Sequence, residues 1–348
     1  MKIGILTAAR TNNFGTDLQA FAMQKLFGRY CDTQIIDYVC PKLENSHKLL
    51  PVLSVVNMIR LPWAIFKNIS HYLFRKKYFN KSKKYTTSTL SSINYDKVVV
   101  GSDQIWNLDI TGNDLNFFLP IDGVRKYSYA ASIGKTDISH WQKKYDLKRY
   151  LEKFSGISVR ESVGVDALNK IGVEAQWHLD PLLMIDEKEW LELANCKKIK
   201  GRYVFVYLVQ DSKDAMDYAF DYAKRYGAKI VVFQKPGKFK KNIKKCVYCS
   251  VNRWLTYMKY ADMIITNSYH GLSIALALKT NFRIFGISNS VQNNSRMENL
   301  LERLDMKQYM YSGKKFFDDL EPDWEKAKIC LNADRQKSFE YIEHIINS

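Results

Sequence analysis

The chain has 348 residues, of which 46% are hydrophobic and 26% are charged, and its formal net charge is +17. This length is enough for two ordinary hydrophobic cores, and the composition excludes an intrinsically disordered chain. The excess of positive charge indicates an anionic partner, such as a phosphorylated or carboxylated substrate or a membrane surface. Nucleic acid is not predicted as a partner, because the sequence lacks the motifs of the common nucleic-acid-binding folds.

The N-terminal residues favour a cytoplasmic protein. Their apolar part is too short for a secretory signal peptide and is typical of a first β-strand. The six cysteines are scattered, as is usual for reduced thiols. Cys246 and Cys249 form a C-x-x-C, but no second pair stands at zinc-ribbon spacing. Two ordinary thiols are therefore favoured over a structural zinc or redox pair, and no metal site is predicted.

Predicted strands and helices alternate along the chain in two series. The first series has strands at 2–8, 33–39, 96–101, 127–133 and 156–159, with helices at 17–27 and around 140–153. The second has strands at 203–209, 229–233, 263–266 and 282–286, with helices at 215–226, 252–260, 272–279 and about 334–346. Near-continuous apolar strands separated by helices are typical of parallel sheets that are covered on both faces.

The two series predict an α/β protein made of two Rossmann-like domains that face each other across a cleft. Residues 1–175 form the N-terminal domain and residues 176–330 the C-terminal domain. Residues 331–348 form a final helix that packs back on the N-terminal domain. Because ligands of such sheets bind outside the carboxyl ends of the strands, the predicted site lies there.

Residues 47–84 interrupt the alternation, since they are apolar at first and densely basic afterwards. A transmembrane span is not favoured, because Pro51, Asn57, Arg60 and Pro62 break the apolar run. The favoured interpretation is one or two long helices of the first domain with a solvated basic face. An amphipathic segment that lies on an anionic membrane surface is the alternative.

The segment from residue 261 to residue 271 reads as a strand, a tight loop and the start of a helix. Its polar residues are Asn267, Ser268, Tyr269, His270 and Gly271. Backbone amides and the positive end of the helix dipole favour an anion at such a point, and a titratable imidazole beside an anion suits catalysis. A neutral histidine that caps a core helix explains the same pattern.

Polar clusters follow the other predicted strands as well. In chain order they occupy residues 11–15, 101–107 (GSDQIWN), 128–134, 157–161, 179–181 and 294–297. Together with the loop at His270, they resemble the polysaccharide pyruvyl transferase family from the first strand to about residue 306. The GSDQIWN segment and the serine–aromatic–histidine–glycine loop are its most specific motifs.

The resemblance implies a GT-B-like fold and the transfer of pyruvate from phosphoenolpyruvate to a saccharide as a cyclic ketal, in the synthesis of a capsule, exopolysaccharide or cell-wall polymer. Phosphoenolpyruvate is then the donor substrate, bound on the C-terminal domain, and no cofactor is implied. The saccharide acceptor is bound on the N-terminal domain. If the acceptor is lipid-linked, the protein works at the inner face of the membrane as a peripheral protein. The alternatives are a nucleotide-sugar-dependent GT-B glycosyltransferase and a non-catalytic, membrane-associated scaffold of polysaccharide assembly.

The matching motifs also imply roles for individual residues. His270 and Asp103 are the predicted catalytic residues, which exchange protons with the leaving phosphate and with a sugar hydroxyl, respectively. The predicted donor-binding residues are Arg160, His270, Ser268, Gly271 and Arg296, with backbone amides of Gly271 and Leu272 in support. The predicted acceptor-binding residues are Asn13, Gly15, Gln104, Trp106 and Asn107. Weaker candidates are Asp180, which more simply fixes the crossover between domains, and Gln210.

Simpler interpretations compete for three of these residues. Arg160 could pair with Glu161 or Asp166, Trp106 could belong to the core, and Gly15 could serve a tight turn. One departure from the family pattern also matters: some members carry an arginine where this chain has Ser268. A positive charge must then come from elsewhere, from Arg160, Arg296 or a lysine.

Overall fold

The computed structural model describes residues 1–45, 55–194, 197–233, 246–247, 249–287, 291–313 and 321–348. The chain divides into two compact units. Unit 1 consists of Met1–Lys48, Arg75–Met184 and Asn332–Ser348, and unit 2 consists of Leu49–Phe74 and Ile185–Leu331.

The strands, in chain order, are β1 (Lys2–Leu6), β2 (Asp32–Tyr38), β3 (Lys81–Tyr85), β4 (Lys97–Val100), β5 (Arg125–Ser128), β6 (Ser158–Val159), β7 (Gln176–Trp177), β8 (Tyr203–Tyr207), β9 (Lys229–Phe233), β10 (Cys246–Val247), β11 (Met263–Thr266) and β12 (Phe282–Ile284). The helices are α1 (Phe14–Gly28), α2 (Pro41–Asn45), α3 (Val55–Tyr78), α4 (Leu108–Thr111), α5 (Ser139–Tyr145), α6 (Leu147–Leu151), α7 (Ser162–Asn169), α8 (Pro181–Met184), α9 (Glu187–Ala194), α10 (Lys213–Tyr226), α11 (Val251–Lys259), α12 (Tyr269–Ala277), α13 (Val291–Arg303) and α14 (Trp324–Asn347).

Each unit is built on a five-stranded parallel sheet, so the predicted α/β fold class is confirmed. The strand order is β3-β2-β1-β4-β5 in unit 1 and β10-β9-β8-β11-β12 in unit 2. In both sheets the second and third strands are added one after another on one side of the first strand. The remaining two strands are added on its other side. This reversal lies between β1 and β4 in unit 1 and between β8 and β11 in unit 2. Parallel sheets of this type bind ligands outside the carboxyl ends of the strands at that point.

The central strands are buried on both faces, which explains their continuous apolar sequences. All residues of β4, β8 and β11 are buried. In a parallel sheet the crossover helices cover both faces, so the strands need apolar side chains in both directions. Sequence periodicity locates these strands well for the same reason.

One predicted helix is divided in two, one predicted helical segment is a strand, and the last helix begins about ten residues earlier than predicted, at Trp324. The charged helix predicted around residues 140–153 is two helices, α5 and α6, because Asp146 between them adopts a left-handed conformation with φ of 48°. The strand β3, with the sequence KSKKY, was predicted to belong to a basic helical segment. It is an edge strand, where lysines are tolerated because one side of the strand meets solvent.

The two units also differ from the predicted domain ranges. Residues 176–184 belong to unit 1, since β7 pairs with β6 and Asp180 forms an ion pair with Arg160. The long helix α3 crosses the division between the units. Among the described residues, no helix has both the length and the apolar character needed to cross a bilayer.

The end of α14 is held within unit 1 by hydrogen bonds that Lys97 and the helix's own Tyr341 donate. Lys97 Nζ donates hydrogen bonds to the carbonyl oxygens of Ile345 and Ile346, at 2.8 and 3.0 Å. Tyr341 Oη donates to the carbonyl oxygen of Ser128 at 3.1 Å. A cation at the C-terminal end of a helix satisfies its last carbonyls and complements its dipole, so Lys97 stabilises this end of α14.

A buried histidine in unit 1 predicts a pH-dependent stability. The His178 ring stacks on Tyr341 with centroids 4.4 Å apart, and Nδ1 lies 2.8 Å from Ser158 Oγ. Burial lowers the pKa of His178 from 6.5 to about 4. As the pH falls below the unfolded pKa, only the unfolded chain takes up the proton, so stability should decrease from about pH 6.5 down to about pH 4. The full loss should be about 3 kcal/mol in the free energy of unfolding.

Urea unfolding across this pH range checks the prediction. His178→Phe keeps a ring in the stack and removes the titration, so its unfolding free energy should fall less steeply with decreasing pH than that of the wild type. His140→Gln changes an exposed histidine of the same unit and serves as the control. Equal slopes for wild type and His178→Phe would contradict the assignment.

Candidate functional site

In unit 1 the reversal point of the sheet carries Asp103. The loops after β1 and β4 meet there, and Thr16 Oγ1 at the start of α1 donates a hydrogen bond to Asp103 Oδ2 at 2.8 Å. The amide of Gln104 donates to Asp103 Oδ1 at 2.8 Å. Asp103 has a φ of 73°, a left-handed conformation that aspartate adopts more readily than most residues. Its side chain is 13% exposed, so the carboxylate is held in place while part of it still reaches the surface.

Arg160 lies beside Asp103 and is enclosed by carboxylates. Its Nη1 is 2.8 Å from Asp180 Oδ2, its Nε is 3.5 Å from Glu161 Oε1, and its Nη2 is 3.6 Å from Asp103 Oδ1. The side chain is fully buried. The structure therefore corrects the prediction of a donor clamp: the guanidinium presents no surface to a ligand. It is also not a surface ion pair, because its three carboxylate partners are 13% exposed or less.

Further polar side chains complete this buried network. Asp180 Oδ1 accepts a hydrogen bond from the Leu182 amide at 2.9 Å, and Ser102 Oγ lies 3.5 Å from Asp180 Oδ2. Ser132 Oγ donates to Glu161 Oε1. Thr16 and Glu161 were not among the predicted site residues. Thr16 stands at the start of a helix and Glu161 follows a strand, and these positions in the chain could have indicated both residues.

The two asparagines of the predicted acceptor set are helix caps. Asn13 Oδ1 accepts hydrogen bonds from the amides of Gly15 and Thr16, at 2.9 and 3.3 Å, and starts α1. Asn107 Oδ1 accepts from the Ile110 amide at 3.3 Å and starts α4. Asn107 and Gly15 are buried, whereas Asn13 is exposed and Gln104 is half-buried. Within this set, Asn13 and Gln104 therefore retain exposed surface, whereas Asn107 and Gly15 are enclosed in their loops.

Trp106 belongs to the core of unit 1. It is 1% exposed, and its ring stacks on Phe118 with centroids 5.6 Å apart. Its Nε1 donates a hydrogen bond to the carbonyl oxygen of Phe117 at 2.9 Å. The predicted stacking on a sugar face is wrong, because both the ring and its polar atom are occupied inside the protein.

In unit 2 the loops at the reversal point are joined by Asn267. Its Oδ1 accepts a hydrogen bond from the Val209 amide, and its Nδ2 donates to the carbonyl oxygen of Gln210, both at 2.8 Å. The loop after β8 is thereby tied to the loop after β11. Asn267 is buried, and Gln210 is exposed beside it. This link keeps the start of α12 at a constant place relative to the sheet.

The helix α12 begins three residues earlier than predicted, with Ser268 as its N-cap. Ser268 Oγ accepts a hydrogen bond from the Gly271 amide at 3.3 Å, and the Leu272 amide donates to the Ser268 carbonyl oxygen at 2.9 Å. Both predicted donor amides are therefore used inside the helix. At Gly271 a Cβ would lie 2.6 Å from Thr266 Oγ1, so glycine is needed for close packing. Ser268 and Gly271 thus shape the helix start, and their contact with the donor stays a prediction.

His270 lies in the first turn of α12, where the dipole is positive, and its side chain is half-buried. The neighbouring Tyr269 ring meets the His270 ring edge-on, with centroids 5.8 Å apart. The guanidinium of Arg296, from α13, lies over the Tyr269 ring at 5.7 Å. The guanidinium of Arg296, a side chain that is 7% exposed, therefore lies against the residue that precedes His270 in the chain.

Among the residues described, no group of three or more histidine, cysteine or acidic side chains is arranged to hold a metal ion. Cys249 is buried, and the side chain of Cys246 lies outside the described part of the chain.

Two Rossmann-like units with parallel sheets and polar residues at both reversal points define a GT-B-type protein. The fold resembles that of UDP-GlcNAc 2-epimerase from Methanocaldococcus jannaschii in complex with UDP-GlcNAc and UDP, with a TM-score of 0.53, 14% identity and 99% of each chain covered. A putative UDP-N-acetylglucosamine 2-epimerase from Listeria monocytogenes matches with a TM-score of 0.50, 8% identity and coverage of 98% of this chain and 90% of that chain. At these identities, the likeness concerns the fold alone.

The family model described as polysaccharide pyruvyl transferase matches residues 13–289. The chain belongs to the polysaccharide pyruvyl transferase family, which makes it a transferase with a polysaccharide acceptor. The matched range includes Asp103, Arg160 and His270 and ends before Arg296. A search of curated proteins found no match to this sequence.

Proposed function

We propose that the protein transfers pyruvate from phosphoenolpyruvate to a saccharide and releases inorganic phosphate. The observation that carries the proposal is the position of His270 in the first turn of α12, at the positive end of the helix, with Arg296 over the ring of the adjoining Tyr269. Phosphoenolpyruvate bears a phosphate and a carboxylate on one small carbon frame, so its site needs cationic and proton-donating groups close together. Unit 2 offers both, and the family supplies the reaction class.

The reaction can be written with each proton accounted for. A proton adds to the methylene carbon of phosphoenolpyruvate, which becomes a methyl group, and the central carbon becomes electrophilic. A sugar hydroxyl attacks this carbon and loses its proton, the bond from carbon to the phosphate oxygen breaks, and the phosphate leaves. A second hydroxyl of the sugar then attacks the same carbon, loses its proton and closes the ketal ring. Two hydroxyl protons are released, and they balance the proton on the methyl carbon and the proton on the phosphate.

In this proposal the two predicted catalytic residues have separate tasks. His270 donates a proton to the leaving phosphate oxygen, and Arg296 stabilises the negative charge of the donor. Asp103 accepts the proton of the attacking hydroxyl, and Thr16 and Arg160 hold its carboxylate in one orientation. The acceptor is a saccharide of a capsule, exopolysaccharide or cell-wall polymer, and none of these steps calls for a cofactor.

The purified protein should release phosphate from phosphoenolpyruvate only when a suitable saccharide is present. Mass spectrometry should then show that the acceptor gains pyruvic acid less one water. A panel of free saccharides and lipid-linked saccharides would be tested, with nucleotide sugars as the comparison. Turnover of a nucleotide sugar, without phosphate release from phosphoenolpyruvate across the panel, would contradict the proposal and favour a glycosyltransferase.

A further inference from the structure

Helix α3 exposes several large apolar side chains and buries two polar ones. Ile65, Ile69, Tyr72 and Leu73 are 41%, 50%, 57% and 54% exposed. On the same helix, Ser70 and His71 are buried, at 8% and 1% exposed. An ordinary surface helix of a globular protein has the opposite arrangement, with its apolar stripe toward the core. The exposed face of α3 is therefore not that of a helix that contacts water alone.

The exposed apolar residues form one continuous stripe. An α-helix turns by about 100° per residue, so Ile65, Ile69, Tyr72 and Leu73 fall on one face within roughly a third of the circumference. The stripe extends over about two turns from Ile65 to Leu73 and is continued by Lys76, about one turn further on. Single exposed apolar residues are common on proteins, but a contiguous stripe of this kind marks a surface that contacts a partner.

Basic residues stand at the C-terminal end of this stripe. Lys76 and Lys77 in the last turn of α3 are both exposed. An apolar face flanked by lysines, with an aromatic residue such as Tyr72 among the apolar ones, has the composition of helices that lie in the interface of an anionic bilayer. The formal charge of +17 on the whole chain is of the same sign.

We propose that the face of α3 from Ile65 to Lys77 docks on the surface of a membrane that contains anionic lipids. The apolar stripe would enter the boundary between headgroups and acyl chains, and the lysines would contact the lipid phosphates. A second copy of the chain is a less suitable occupant, because association would bring two strongly cationic molecules together. This inference does not depend on the proposed reaction, since lipid binding requires neither substrate.

Flotation of the full-length protein with vesicles tests the inference. The protein should float with vesicles of phosphatidylcholine and phosphatidylglycerol and remain at the bottom with phosphatidylcholine alone. Ile69→Glu should weaken binding at least about tenfold, because it places a charge in the stripe. Lys76→Gln combined with Lys77→Gln should weaken binding about 30-fold at low salt, given the usual contribution of a lysine near an anionic surface.

The matched control is Ile329→Glu, which makes the same change at an isoleucine of α14 that is 71% exposed. Thermal unfolding of the variants should equal that of the wild type, because each replaced side chain is exposed. Vesicle binding by Ile69→Glu equal to that of Ile329→Glu would overturn the proposal. Sedimentation that shows a wild-type dimer, a monomer for Ile69→Glu and no vesicle binding by either would assign the stripe to a second copy and would also overturn it.

Discussion

His270→Ala should lower kcat for pyruvate transfer by about 1,000-fold while the protein remains folded. A positioned general acid usually contributes factors of about 100 to 10,000, and this variant also removes a group beside the phosphate. The fold should be unaffected, because Ser268 caps α12 and Gly271 packs on Thr266, and both contacts are independent of the imidazole. Alanine is also well tolerated in a helix.

Initial rates of phosphate release at saturating phosphoenolpyruvate, together with thermal unfolding, would measure both effects. His270→Gln keeps a polar side chain without a titratable proton. If His270 acts by donating a proton, this variant should be as inactive as His270→Ala. His140→Ala, an exposed histidine outside the site, serves as the control. Transfer by His270→Ala within about twofold of the wild-type rate would remove the residue from the mechanism.

Arg160→Met should destabilise unit 1 strongly and abolish transfer. The substitution leaves the carboxylates of Asp103, Glu161 and Asp180 close together without the cation that compensates them. Removing one partner from a buried ionic network typically costs about 3–5 kcal/mol in the free energy of unfolding. Activity should be lost as well, because the Asp103 carboxylate loses the guanidinium that contacts its Oδ1 atom.

Two further variants separate the structural effect of Arg160 from the loss of activity. Arg160→Lys keeps the positive charge but not the planar guanidinium. It should therefore be more stable than Arg160→Met and still transfer pyruvate more slowly than the wild type. Adding Asp180→Asn to Arg160→Met removes one of the uncompensated carboxylates and should recover part of the lost stability. Urea unfolding, with activity measured below each transition, provides both readouts. An Arg160→Met protein as stable as the wild type would contradict the network.

The corrected predictions share one physical cause. Arg160, Trp106 and Asn107 were predicted to contact a ligand because they stand in the motifs that resemble the family. Each of them instead satisfies a nearby group: a carboxylate network, a backbone carbonyl, or the amides of a helix start. Buried polar groups must find hydrogen-bonding partners, and a strand end supplies many orphan amides close by. The sequence gives the residue type at each position. The fold decides how far that side chain lies from the protein groups that compete with a ligand for it.

The sequence by itself determined the α/β class, the two series of buried parallel strands and the strand ends that carry Asp103 and His270. These features depend on apolar periodicity and on local turn chemistry, both of which act over a few residues. Tertiary structure alone decided that Thr16 contacts Asp103, 87 residues away, and that Arg296 lies over Tyr269. It also decided which face of α3 meets water, since burial depends on what packs against a helix. Local rules locate an element along the chain, and only packing chooses its partners.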